Sequence, residues 1–299
     1  MRKTTRLKQL INDPEILVMP GVFDALSAKI AEKIGFKAVQ CTGYGFAASL
    51  LGKPDVGLVT MTEMVEHTKN ICAAVDIPVM ADGDTGFGNA INVIRTVQEF
   101  ERAGAAGINL EDQVFPKRCG HMDGKQIIPF EEAVLKIEAA VSAKTDPDFV
   151  INARTDAVAV AGVEEAIRRG NAFAKAGADL IFVEAPQNVE DIKRVIQSID
   201  APVSINMLEG GKTPLVTIED LQKWGAARVS CPLTALYGAA RGIYNVLSTL
   251  MKKGTTRDNP ELIMGFEEFL QLVDIDEIRE WERRYLPKDV LKEKYGDMI

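Results

Sequence analysis

Three carboxylates stand at the ends of two short apolar runs: Asp82 and Asp84 close "IPVMADGD", and Glu111 closes "AGINLED". Carboxylates brought to one mouth repel one another unless a cation lies among them. An oxygen-only set without clustered His or Cys suits a hard ion, Mg2+ or Mn2+, better than zinc. The competing reading is that each carboxylate caps the helix after it, and for Asp112 or Asp156 taken singly that reading is the better one. Glu111 also opens the stretch "EDQVFPKRCGHMDGK", Glu111 to Lys125, which gathers a Lys-Arg pair, a cysteine and a histidine with almost no core-forming pattern. It reads as a long loop, hinged at Gly120 and Gly124, that carries Cys119 over the site, with Lys117 and Arg118 favouring the thiolate. A polar surface loop with a lone cysteine is the alternative.

Two further stretches carry candidate chemistry. Arg154 in "NARTDA" is suited to bidentate capture of a carboxylate, against the alternative of a structural ion pair with Glu184. In "NMLEGGKTPL" two glycines free the backbone amides to approach an anion, or else form a hinge. His67, in the helical pattern "EMVEHTKNI", reads as a solvated face and is assigned no role.

These residues need elements to hold them. Short Val/Ile-rich runs alternate with amphipathic segments of helical period from "EILVMPG" through "ARVSCP", making eight strand-helix units. The runs are apolar on both faces, as strands covered on both sides must be, and several helical segments end in glycine: Gly35, Gly104, Gly177 and Gly225. Without an antiparallel segment or an early GxGxxG, the pattern favours an α/β (β/α)8 barrel of the TIM type over a doubly wound sheet. The expected division is a barrel over residues 1–254 and a C-terminal helical arm over 255–299. In such a barrel the active site lies at the C-terminal strand ends. Those ends are polar: Thr42-Gly43-Tyr44, Asp82-Gly83-Asp84, Asn109 to Asp112, Asn152-Ala153-Arg154, Glu184 and Asn206. Four of them hold an i, i+2 pair, which on a strand points to one face.

The totals narrow the partners. A net charge of −8 with scattered Lys and Arg leaves no field for a phosphate backbone, so nucleic acid is not expected. The first residues are basic but lack an apolar signal-peptide core, and no apolar run approaches ~18 residues, so a cytoplasmic protein without a membrane partner is expected. Cys41, Cys72, Cys119 and Cys231 are too far apart for a disulfide framework or a CxxC zinc site.

"PKRCGHMDGK", together with "DGDTGFGN", "INLEDQ", "NARTDA", "FVEAP" and "NMLEGGKTPL", resembles the isocitrate lyase and phosphoenolpyruvate mutase superfamily, in order across about residues 15–250. K-R-C-G-H is similar to the signature of its carbon-carbon lyase branch. The resemblance implies a Mg2+ (or Mn2+) site in which Asp82 contacts the ion while Asp55, Asp84 and Glu111 hold its water shell. Thr42, Gly43 and Tyr44 would bind the oxycarboxylate end of a small di- or tricarboxylate, and Arg154 a carboxylate. Lys117, Arg118, Gly120 and His121 would join them from the loop, and Glu184 and Asn206 would support the metal and substrate end. Gly210, Gly211, Lys212 and Thr213 would hold the leaving carboxylate. Cys119 would protonate the carbanion, with Tyr44 or a water as base and Glu111 in the catalytic set. A homotetramer with the eighth helix exchanged between subunits is implied, with the arm packed on a neighbour.

Within the superfamily, methylisocitrate lyases carry a C-terminal Q-T-R where this chain reads "IMGFEEF", and the oxaloacetate hydrolases have Ser where this chain has Pro232. The resemblance therefore implies retro-aldol cleavage of a 2-alkylmalate, with 2,3-dimethylmalate giving pyruvate and propionate. Methylisocitrate cleavage and oxaloacetate decarboxylation or hydrolysis are the related alternatives. A catalytically silent dicarboxylate-binding barrel is the alternative of another class.

Overall fold

The Val/Ile-rich runs form eight parallel strands in the computed structural model, which describes residues 1–296. The last three residues of the expected arm, 297–299, lie outside the described residues. The strands are β1 (Leu17–Val22), β2 (Val39–Cys41), β3 (Val79–Asp82), β4 (Gly107–Glu111), β5 (Val150–Thr155), β6 (Leu180–Val183), β7 (Val203–Asn206) and β8 (Arg228–Cys231). Each pairs with the next, and β8 returns to β1 with Leu17 opposite Arg228 and Pro20 opposite Cys231. Closure leaves no strand edge unpaired, and the expected (β/α)8 barrel is the observed one.

Alternation along the strands makes two cores. Outward residues such as Ile108, Ile151, Ile181, Ile205 and Val229 pack beneath the surrounding helices. Inward residues at the strand starts, Leu17, Met19, Met80, Val150 and Leu180, meet Leu7 and Ile11 of the helix Lys3–Ile11, which closes the N-terminal end of the barrel. That plug is apolar, so the polar inward positions collect at the other end, where the site lies.

Local signals place the helix ends. Asp24 and Ser27 form a reciprocal capping box on Ala25–Ile34, and Thr60 and Glu63 form another on Met61–Ala74. The four glycines read as terminators all have positive φ, which a side chain would resist. The connection after β2 is longer than a single step from strand to helix. "FAASLL" forms only a short helical turn and a π-helical turn, and the helix that follows is Met61–Ala74. The long connection that results carries Asp55 to the site.

The chain divides into two compact units, Met1–Gly238 and Ala239–Ile299. The helix after β8, Thr234–Lys253, begins in the first and runs on in the second, and it buries none of its residues. In the second unit Phe266 is 75% exposed and Trp281 50% exposed. Among the described residues no helix is long and apolar enough to cross a membrane.

Candidate active site

At the C-terminal strand ends a cavity of about 50 Å3 is walled by Thr42, Tyr44, Asp82, Cys119, Arg154 and Glu184, with Asp55, Lys117, Gly120, His121, Asn206 and Pro232. Asp82, the last residue of β3, is held by two backbone groups: Gly43 N donates to Oδ2 at 2.9 Å and Asp84 N to Oδ1 at 3.2 Å. The next carboxylate does not share its face. Asp84 lies beyond the strand with φ +46°, so the i, i+2 argument fails there. It fails again at Tyr44, which is helical, Thr42 being the N-cap of that turn. At β4 and β5 the alternation holds, and Asn152 Nδ2 donates to Asn109 Oδ1 at 3.0 Å.

The expected repulsion among the three carboxylates is relieved in part by protein cations. Lys117 Nζ, buried, lies 2.7 Å from Asp55 Oδ1 and 2.8 Å from Asp84 Oδ1. Arg154 Nη1 lies 3.3 Å from Glu111 Oε2. Among the described residues no three carboxylates form a ready-made inner coordination shell. Asp55, Asp82, Asp84 and Glu111 nevertheless share this end with Asp156 and Glu184, which also draw on Arg154, and burial pushes Asp84 up to about 7, with Lys117 opposing and Asp82 and Asp55 adding to the rise. Burial also raises Glu111, against Arg154 and Lys117. The carboxylate oxygens gathered around the half-buried Asp82 are the kind of hard donor set that suits a divalent cation.

Arg154 is fixed on three sides. It donates to Asp156 through Nε and Nη2 at 2.9 and 3.0 Å, its Nη2 lies 3.2 Å from Glu184 Oε2, and Phe182 lies beneath it at 5.3 Å. Both readings of this arginine are thus present, an ion pair with Glu184 and a guanidinium on the cavity wall. His121 Nδ1 accepts from the backbone N of Lys212 at 2.9 Å, so the ring proton is on Nε2, which faces Glu184 Oε1 at 3.0 Å. Glu184 is buried, which raises its pKa, yet Arg154 and His121 outweigh this and hold it down to about 2.

Cys119 is half-buried, and its backbone N donates to Asp55 O at 3.1 Å. The expectation of a thiolate meets an opposing environment. Burial pushes the thiol up to about 11, with Asp55 and Glu184 adding to the rise and a backbone hydrogen bond and Arg154 opposing it. Lys117 is committed to Asp55 and Asp84, and the Arg118 side chain is exposed. Arg118 therefore does not reach the cavity; its backbone pairs with Gln113 instead.

A family model described as phosphoenolpyruvate phosphomutase matches residues 7–250. The chain belongs to the phosphoenolpyruvate phosphomutase family. It is 45% identical to the 2,3-dimethylmalate lyase of Eubacterium barkeri over 95% of this chain and 99% of the relative. It is 43% identical to the 2-methylisocitrate lyase of Aeropyrum pernix, over 89% of this chain and 86% of that one. Among solved structures, a 2,3-dimethylmalate lyase of the PEP mutase/isocitrate lyase superfamily superposes with a TM-score of 0.89 at 34% identity, covering 95% of each chain. A phosphonopyruvate hydrolase in complex with oxalate and Mg++ superposes at 0.87 and 30% identity, covering 96% of this chain and all of the other.

Of the residues that the resemblance implies, Gly43, Asp84, Glu111, Arg118, Gly210, Gly211, Lys212 and Thr213 do not line the cavity. Gly43, Asp84 and Glu111 act one contact behind it. The glycine loop backs His121 rather than opening its amides to the cavity: a Cβ on Gly211 would stand 2.8 Å from His121 Nδ1. Lys212 turns outward to Asp123 at 2.5 Å. Asp112 and Asp156 are not helix caps. Asp112 accepts from Thr155 Oγ1, Asp156 N and Arg169 Nη1 at 2.7 to 2.9 Å, and Asp156 holds Arg154 and Lys125. His67 is not a solvated face either, since its Nε2 lies 2.6 Å from Phe23 O and its ring stands edge-on to Phe46.

Sequence reasoning missed Gln40, Phe182, Leu208 and Leu233 on the cavity wall. It also missed Tyr237, whose hydroxyl is influenced by Tyr44 and Cys119. The inward alternation of β2 and β6 could have found Gln40 and Phe182. Nothing local marks Tyr237.

Proposed function

We propose that the chain is a Mg2+-dependent carbon-carbon lyase that cleaves a 2-alkylmalate by a retro-aldol reaction, 2,3-dimethylmalate giving pyruvate and propionate. The observation that carries this reading is the half-buried thiol of Cys119 on the same cavity wall as Asp82 and Arg154, where burial favours its protonated form. A bound Mg2+ supplies a Lewis acid for the 2-hydroxy acid end of the substrate. Asp82 is the residue to hold it, with Asp55, Asp84 and Glu111 around its water shell. Thr42, Gly43 and Tyr44 position that same end.

The residues then divide the proton work. Tyr44 is the candidate base for the C2 hydroxyl proton. As the C2–C3 bond breaks, its electron pair moves onto the departing carboxylate fragment. Cys119 gives that carbon its proton, a task for which a thiol held neutral is the right form. Arg154, fixed by Asp156, binds a substrate carboxylate, and Glu184 with His121 and Asn206 keeps the polar wall in place.

A homotetramer with exchange of the eighth helix belongs to the same reading. Its support is a helix Thr234–Lys253 that buries no residue, and an apolar groove of about 400 Å3 beside β1 and β8, lined by Val22, Ile30, Ile34 and Phe36. The deciding experiment offers 2,3-dimethylmalate, other 2-alkylmalates, 2-methylisocitrate and oxaloacetate to one preparation with Mg2+ and identifies the products. Pyruvate with propionate from 2,3-dimethylmalate is expected. Preference for 2-methylisocitrate or oxaloacetate would move the substrate within the superfamily, and turnover in excess chelator would remove the metal. No turnover on any of them would leave a binding protein.

A further inference from the structure

Lys125 ends the loop that carries Cys119, and no role in the reaction as proposed falls to it. Its side chain is 1% exposed, which is unusual for a lysine and requires compensation. Two acceptors provide it: the ammonium donates to the carbonyl oxygen of Gly120 and lies 3.1 Å from Asp156 Oδ1. Gly120 is the residue between Cys119 and His121. It is pressed so closely onto the site that a Cβ there would stand 2.4 Å from Glu184 Cγ and 2.6 Å from Arg154 Nη2. Asp156 in turn grips Arg154 through both oxygens. One buried ammonium therefore joins the carbonyl beside Cys119 to the carboxylate that orients Arg154.

We propose that Lys125 is the positioning residue that seats the Cys119–His121 segment over Arg154, so that the thiol faces the cavity only while the Lys125 clasp is made. The segment has other restraints. Cys119 N to Asp55 O and Met122 N to Cys119 O are neutral backbone bonds, and Lys212 to Asp123 is a surface pair with Asp123 95% exposed. The His121 ring is held between Lys212 N and Glu184 Oε1, at 2.9 and 3.0 Å. Lys125 differs in gripping the backbone carbonyl next to Cys119 itself. The clasp is charge-assisted and shielded from water, where such a bond is strongest.

The thiol's exposure is measurable without any substrate, so the test separates this inference from the lyase reading on which its kinetic arm rests. Lys125→Met and Lys125→Arg are prepared as full-length protein with Mg2+ present. Iodoacetamide labelling of Cys119 is followed by peptide mass spectrometry, which distinguishes it from Cys41, Cys72 and Cys231, and kcat and KM are measured alongside. Lys125→Met is expected to raise the labelling rate of Cys119 by about tenfold or more, the effect of losing one buried charge-assisted bond. It should lower kcat by more than it raises KM, while Lys125→Arg, which keeps the charge, recovers part of both. Should Lys125→Met not fold cooperatively, Lys125→Gln takes its place. A folded neutral variant whose Cys119 labels at the wild-type rate would overturn the proposal. Faster labelling without turnover on any substrate would uphold Lys125 and reject the lyase reading.

Discussion

At the scale of single residues, the chemistry turns on protonation states set by burial. Cys119 sits among Asp55, Glu184 and Arg154, and desolvation dominates, raising its thiol to about 11. Because the pKa is raised, the group is neutral at pH 7 and 9 alike, and thiolate appears only as pH approaches 11. Iodoacetamide labelling of Cys119 should therefore climb with a midpoint well above the ordinary thiol value, and a midpoint below 8 would restore the thiolate reading. As an acid the thiol should be hard to replace. Cys119→Ser keeps the size but substitutes a far weaker acid, so kcat should fall by about a hundredfold or more with substrate affinity and thermal stability little changed. Near-normal turnover by the serine variant, measured under single-turnover conditions, would show that the proton comes from elsewhere.

At the scale of elements, each strand end is a two-residue device, and whether it behaves as one depends on where the strand stops. On β4 and β5 the alternation persists through Glu111 and Arg154, and their side chains meet across the register that pairs those two residues. On β3 it stops at Asp82, and the left-handed turn at Asp84 sends that carboxylate to Lys117 instead. β8 carries a different feature. Arg228 is fully buried within the barrel, its pKa is lowered to about 9 by desolvation with Cys231 opposing, and among the described residues its guanidinium nitrogens have no hydrogen-bond partner. A buried cation without a counter-ion opposes folding, so Arg228→Met, of similar length, should raise stability by about 1–4 kcal/mol in urea unfolding. Unchanged or lower stability would mean that the guanidinium is compensated in solution.

At the scale of the whole molecule, the apolar surface that one chain leaves uncovered has to go somewhere. The helix Thr234–Lys253 exposes Ile243, Tyr244, Leu247 and Met251, and the second unit exposes Phe266 and Trp281. Light scattering at micromolar concentration should report a homo-oligomer, four chains being the expected number, and a monomer would remove helix exchange with it. The barrel was legible because its signals are local and repeated: runs apolar on both faces, amphipathic helical segments and glycine terminators recur unit by unit. Asp82, Cys119 and Arg154 were legible for the same reason, each standing at or just beyond a recognisable strand end. The contacts that tune them were not. Asp84 and Lys117 are separated by a whole strand-helix unit, Gly120 meets Glu184 across the barrel mouth, and Lys125 reaches Asp156 from another loop. Pairings of this kind depend on closure of the barrel and on left-handed turns such as that at Asp84. The sequence alone therefore determined the fold and pointed to Asp82, Cys119 and Arg154, whereas the tertiary structure decided which residues share the cavity wall with them, which charges cancel and which loop residues face solvent. Burial and long-range approach set the electrostatics, and neither is a property of neighbouring residues along the chain.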